Sequence, residues 1–251
     1  MGQRLYIFEL SHLPPAFLLV LFAIALSYFY NLKAERDLLE SSLRTTIQLL
    51  LFGYLLRFIL EVQSLALLIF ILFVMSIFGS ITVVERLKTE GSFGRLFLKS
   101  YIALVIPSSL VFVLLYLMNY VPKDPVSMIT MWGLVLGNSL SNVSLTFERM
   151  RSEAFNRIRE IEAKVALGAP LKKAMEEVVQ NAIKVSMMPK YNMLRSAGIV
   201  HIPGVAVGMV VGGADPISAV VFQIVVMIVL LTVSFFTSLI TAALTYSSVL
   251  G

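Results

Sequence analysis

Polar side chains that could do chemistry stand out in this sequence because so much around them is apolar. Asn138, Ser141 and Asn142 lie three and four residues apart inside the apolar run Val126–Thr146. That spacing puts them on one face of a helix. A buried amide without a hydrogen-bond partner costs several kcal/mol. This face must therefore line a passage for a polar solute or bond to a neighbouring helix. Gln48 and Arg44, in the run Leu43–Leu60, pose the same choice. Arg44 sits close enough to an end of its run to reach water. Ser234, Thr237, Ser238, Thr241 and Thr245 make a hydroxyl face near the end of the chain. Such hydroxyls either line a pathway or bond back to their own helix.

Other chemistry is poorly supplied. The chain has no Cys and two His, His12 and His201. One His is not a metal site, and thiolate chemistry is excluded. The 12 Met are scattered, which suits packing, although thioethers would favour soft cuprous ions. There is no His-Glu-x-x-His, no Gly-x-Ser-x-Gly and no Gly-x-x-x-x-Gly-Lys-Ser/Thr loop. No catalytic residue and no protein-held metal is expected, and the chain should not hydrolyse ATP alone.

Of 251 residues, 58% are hydrophobic and 14% charged, against about 45–50% and about 25% in a soluble domain. Mean hydropathy is +0.89. The net charge of +5 sits in loops, so nucleic acid is not the implied partner. The composition predicts an all-α, polytopic membrane protein forming a single permease domain over 1–251. Seven runs approach the roughly 20 apolar residues a helix needs to cross a bilayer. They are Leu13–Tyr30, Leu43–Leu60, Ser64–Val84, Phe97–Met118, Val126–Thr146, Ala197–Gly212 and Ile217–Tyr246. Met1 to Leu13 has no small-residue cleavage site, so the first run is expected to be retained.

The cations give an orientation. Lys33, Arg36 and Arg44 follow the first run; Arg86, Lys88, Arg95 and Lys99 follow the third; ten more lie between Arg149 and Arg195. The other side has Arg4, Arg57 and Lys123. The positive-inside bias places the N-terminus outside and the C-terminus in the cytoplasm. No Asp or Glu lies deep in any run, which counts against a proton- or sodium-coupled carrier.

Phe147–Pro189 is the one long polar stretch, and a coupling segment of about 147–192 is expected in the cytoplasm. Phe147, Met150, Ala154, Ile158, Ile161 and Val165 recur at helical spacing. The fifth run could continue straight into this helix, and Glu160 and Lys164 can pair on it. Gly168-Ala169-Pro170 ends that helix and starts another. Leu171, Ala174, Met175, Val178, Ala182 and Val185 make the second stripe, predicted to stop before Pro189. Glu162-Ala163-Lys164 with Gly168 matches the Glu-Ala-Ala, three residues, Gly spacing that importers of the ATP-binding cassette (ABC) class dock into their ATPase. Val178-Val179-Gln180-Asn181 departs from the importer ending. The alternative is an amphipathic hairpin packed on its own loops.

Gly204, Gly208 and Gly212 recur every four residues, a flat strip for close helix approach, within one subunit or between two. Pro203-Gly204 should weaken or kink the helix there, which suits a hinge.

Six stretches stand in order along the chain: Leu43-Arg44-Thr45-Thr46-Ile47-Gln48-Leu49-Leu50-Leu51, Leu136-Gly137-Asn138-Ser139-Leu140-Ser141-Asn142-Val143-Ser144-Leu145, and Glu162-Ala163-Lys164-Val165-Ala166-Leu167-Gly168-Ala169. Gly198-Ile199-Val200-His201-Ile202-Pro203-Gly204, Gly213-Ala214-Asp215-Pro216 and Phe222-Gln223-Ile224-Val225-Val226-Met227 follow. Together they resemble one family, the FetB-like permeases of iron-export ABC transporters, which includes a plant branch tied to aluminium tolerance. His201 departs from the small polar residue expected there. The resemblance implies a seven-span inner-membrane permease, paired as a homodimer with two copies of a separate ABC ATPase that holds ATP and Mg. It implies ATPase docking at Glu162, Ala163, Lys164, Gly168, Ala169 and Pro170, and export of iron or another metal-linked solute. Gln48, Asn138, Ser141, Asn142 and His201 are the pathway candidates; the residues themselves do not point to iron. The competing reading is an ATP-independent channel or carrier with a purely structural hairpin.

Overall fold

The computed structural model describes residues 13–62, 64–87, 93–200 and 202–248. Every regular element among them is helical. The chain divides into two units, Met1–Gln63 and Ser64–Gly251.

The first unit is a helical hairpin of α1 (Leu13–Phe29) and α2 (Glu35–Val62). Asn31 and Lys33 reverse the chain with φ of 53° and 57°. Ser27 fastens the turn, accepting from Ala34 N–H at 3.1 Å and donating to Glu35 Oε1 at 2.7 Å. α2 is eight residues longer at its start than its apolar run, because Glu35 and Asp37 suit the positive end of a helix. Arg57 and Glu61 pair on it at 3.8 Å, as their spacing predicts.

The second unit holds α3 (Leu65–Leu87), α4 (Phe93–Leu117), α5 (Pro125–Asn156), α6 (Ile158–Ala166), α7 (Leu171–Ala174), α8 (Glu176–Ser196), α9 (Gly204–Val211) and α10 (Pro216–Thr245). α5 and α10 form its axis. Both begin with Asp-Pro-x-Ser: Asp124 accepts from Ser127 N–H and Asp215 from Ser218 N–H, each at 2.9 Å, with proline in the first turn. The Ser127 side chain, and after it its N–H, holds Asp124 below the ordinary carboxylate value, and the Ser218 N–H, and after it its hydroxyl, does the same for Asp215. The two helices run parallel, because Asn138 meets Leu230 and Asn142 meets Ser234. Val83, Leu104, Trp132, Leu136, Val143 and Phe147 pack where α3 and α4 meet α5. Val111, Leu115, Val135, Val226 and Val233 pack where α4 and α5 meet α10.

Several expectations are corrected. The fifth run does continue straight into the polar stretch, but only as far as Asn156, where Arg157 takes φ −111° and separates α5 from α6. The second stripe does not end before Pro189. α8 carries that proline inside it and continues to Ser196, since burial of Ser186 and Met187 holds the helix to its neighbours. Ala197–Gly212 is not one helix. Gly198 turns the chain with φ +80° and Pro203 caps the eight-residue α9, so proline starts this helix rather than kinking it.

Among the described residues, four helices, Glu35–Val62, Leu65–Arg86, Phe93–Leu117 and Pro216–Thr245, are long and apolar enough to cross a membrane, and Leu13–Phe29 is a shorter apolar helix. α5 has the length, at 32 residues, but Asn138, Ser141 and Asn142 lower its hydropathy.

Candidate functional site

The polar faces of α5 and α10 meet, and α8 closes over them. Asn142 is 1% exposed. Its Nδ2 donates to the Ser234 carbonyl at 2.8 Å and Ser238 Oγ at 2.6 Å, and lies 3.7 Å from Met187 Sδ. Thr146 Oγ1 donates to Ser238 Oγ at 3.1 Å, and Ser186 Oγ of α8 lies 3.4 Å from that hydroxyl. Asn138 is half-buried. Its Nδ2 donates to the Leu230 carbonyl at 3.1 Å and Ser234 Oγ at 2.8 Å, and its Oδ1 accepts from Lys190 Nζ of α8. The expected hydroxyl face serves two ends. Thr241 and Thr245 bond back to their own helix, while Ser234 and Ser238 bridge to α5. Thr237 Oγ1 is buried there without a hydrogen-bond partner.

The predicted amide face therefore separates. Asn138 and Asn142 come together on α10, whereas Ser141 is exposed and bonds only to the Gly137 carbonyl of its own helix. Gln48 is exposed on α2, at the end of a shallow groove that begins at Arg36. His201 lies outside the described residues. No described group of three or more His, Asp or Glu could hold a metal ion.

Sequence reasoning missed Lys190, grouping it with the loop cations. α8 runs antiparallel to α5, from Asn181 beside Glu153, through Met187 beside Asn142, to Lys190 beside Asn138. The last part of the expected 147–192 segment thus lies along α5 and not beyond it. A signal was present: Ala182, Ser186 and Lys190 continue one helical face past Val178.

The elbow lies at the other end of α5. Its inward side is built from the two predicted stripes: Met150, Ala154, Ile161, Ala174, Met175, Val178 and Ala182 are buried together. Gly168 ends α6 with φ +92°. Gly168 N–H donates to the Val165 carbonyl at 2.9 Å and Ala169 N–H to the Lys164 carbonyl at 3.0 Å. This is a left-handed glycine cap, which fixes the chain reversal.

Ion pairs clamp the elbow to the start of α8. Lys164 meets Glu160 at 2.7 Å, as its spacing predicts, and Glu177 at 3.3 Å. Arg157 meets Glu153 at 2.9 Å and Glu177 at 2.8 Å. Donation to Glu160, then to Glu177, holds the Lys164 ammonium above its ordinary value. The bond from Lys164, and after it Arg157, holds Glu177 below the ordinary carboxylate value. Lys164 is therefore engaged within the elbow. Glu162, Ala163, Gly168 and Pro170 are exposed and Ala169 is half-buried. Val165, expected on the first stripe, is instead exposed because that stripe is covered only as far as Ile161, and with Leu167, at 89% exposed, it forms an apolar tip.

The chain matches UPF0014, an uncharacterised protein family, over residues 10–250. This protein belongs to the UPF0014 family. It is 31% identical to the "UPF0014 membrane protein YjkA" of Bacillus subtilis over 91% of this chain and 90% of the relative. It is 28% identical to the "Probable iron export permease protein FetB" of Escherichia coli, covering 92% and 88%. It is 31% identical to the "Protein ALUMINUM SENSITIVE 3" of Arabidopsis thaliana, covering 84% and 77%. No solved structure matches. UPF0014 membership is in accord with the family resemblance carried by the amide-rich stretch of α5 and by the elbow.

Proposed function

We propose that this UPF0014 member is the permease subunit of an ABC transporter, driven by a separate ATPase that docks at the elbow. The observation that carries the reading is the two-sided build of α6 and α7. Their inner side is packed and clamped by ion pairs, while Glu162, Val165 and Leu167 project outward with no structural task. An exposed Leu beside an exposed Glu on a rigid reversal suits a partner's cleft.

The chain then forms one permease domain of seven crossings in the inner membrane, with the N-terminus outside and the elbow and C-terminus in the cytoplasm. α8 and α9 make up the sixth crossing as a broken helix, turned at Gly198 and restarted at Pro203. Broken helices belong where they border a cavity or another protein surface. Open space at Gly204 and Gly208, with no atom within 4 Å of a built Cβ, supports pairing of two copies there. Export of iron or another metal-linked solute follows the name of the FetB relative. Asn138, with the half-buried amide, is the pathway residue this reading favours.

Co-purification with the cognate ABC ATPase tests it. Wild type should capture the ATPase, and Glu162→Arg and Leu167→Asp should each lose it while remaining monodisperse. Gly168 is a poor probe, because any side chain there strains the φ +92° turn. If neither variant loses the ATPase, docking at the elbow is refuted. If wild type captures none, the ATP-independent channel or carrier takes its place.

A further inference from the structure

Lys190 is a positive charge without a negative one. Among the described residues its ammonium has one partner, the neutral Asn138 Oδ1. The parts of the surrounding helices that face it offer no carboxylate; Glu148 and Glu153 of α5 and Glu176 and Glu177 of α8 lie toward the elbow. The sequence has no Asp or Glu between Asp124 and Glu148, between Glu177 and Asp215, or after Asp215. Those stretches contain the facing parts of α5, α8 and α10. Position makes the charge unusual. Asn138 lies about 20 Å along α5 from its N-terminus, at 1.5 Å per residue, well inside the apolar run. A half-buried ammonium in such surroundings calls for a counter-charge.

The neighbouring groups are arranged to leave the ammonium available. Asn138 is held by Leu230 and Ser234, so its Oδ1 is fixed in place. An ammonium has three donors, and one is used. Next to Asn138 in sequence, Gly137 is exposed with nothing within 4 Å of a built Cβ, and Ser141, one turn along, is exposed too. The Lys190–Asn138 contact and these two exposed positions make up a polar shelf on α5.

We propose that Lys190 and Asn138 recognise an anionic solute, one bearing carboxylate or phosphate oxygens, either free or wrapped around a metal ion. This rests on the permease reading, in which the shelf borders the passage. Charge-assisted bonds from an ammonium to such oxygens are about twice as strong as neutral ones, and the solute supplies the missing negative charge. A bare divalent cation meets like charge at this point. A metal would therefore cross as an anionic complex.

Binding to the purified full-length chain in lipid nanodiscs, without any ATPase, tests this apart from docking. The probes are citrate, ferric citrate, inorganic phosphate and uncomplexed ferrous ion. Wild type should bind at least one anion. Lys190→Met should weaken that binding about tenfold or more, a difference of about 1.4 kcal/mol, and Lys190→Arg should retain it. Asn138→Asp places a carboxylate on the ammonium and should also weaken binding, without leaving a buried charge unpaired. That second variant decides the matter if Lys190→Met does not fold. Which anion binds separates a free carboxylate, a chelate and a phosphate. Equal anion binding by wild type and both weakening variants overturns the proposal. So does a wild type that binds no anion, or one that binds only ferrous ion. Capture of an ATPase is not required, so a failed docking experiment leaves this result standing.

Discussion

Asn142 and Ser141 are adjacent in sequence and opposite in role. Asn142 donates to a backbone carbonyl and a hydroxyl of α10 inside a seam that excludes solvent. Asn142→Leu removes both bonds into α10, to the Ser234 carbonyl and to Ser238 Oγ, and at about 0.5–1.5 kcal/mol each should cost about 1–3 kcal/mol. Ser141→Ala removes only a 3.3 Å bond to its own helix and should change stability by less than about 0.5 kcal/mol. Thermal unfolding of the purified variants compares them; equal effects would mean the seam does not hold the helices together. Periodicity had put both residues on one face. A face spans about a third of the helix, and the approach direction of α10 and α8 decides which edge is covered.

At the scale of elements, the elbow is a clamp with a pH window. Glu177 has its carboxyl value lowered in the folded chain, so its stabilisation is present above the unfolded value of about 4.3. It is lost as pH falls through the lower folded value. Lys164 is raised, so its contribution is complete below about 10.4 and is lost as pH rises through the higher folded value. Hydrogen-exchange protection in residues 158–175, corrected for the intrinsic pH dependence of exchange, should be high near pH 7 and should fall as pH drops below the unfolded carboxylate value of about 4.3. Glu177→Gln should lower the protection at pH 7 and flatten the acid response. An unchanged profile in that variant would show that burial of Ile161 and Met175, and not the ion pairs, holds the elbow. The Glu160–Lys164 pair was legible from spacing alone. Glu177 was not, because it lies across a chain reversal.

At the scale of the molecule, the decisive feature is where α8 goes. A chain without Cys allows a direct check. Ser186→Cys with Ser238→Cys replaces hydroxyls 3.4 Å apart, and should form an intramolecular disulfide under mild oxidation. Ser196→Cys with Ser238→Cys should not. Failure of the first pair would return α8 to the polar surface stretch that composition predicted.

The sequence by itself determined the helical class, the apolar segments, the two stripes of the elbow and the glycine that ends α6. Each follows from local physics: burial period, helix capping, and the ease with which glycine takes positive φ. Family membership was also legible, through the ordered stretches from Leu43 to Met227. The tertiary structure decided what local physics leaves open. It carried α8 through Pro189, because Ser186 and Met187 gain buried partners on α5 and α10 that a lone helix lacks. It broke Ala197–Gly212 into a turn and a short helix. It turned one of ten clustered cations into a charge beside Asn138, because charge counting assigns a residue to a loop, whereas only packing fixes what its side chain meets.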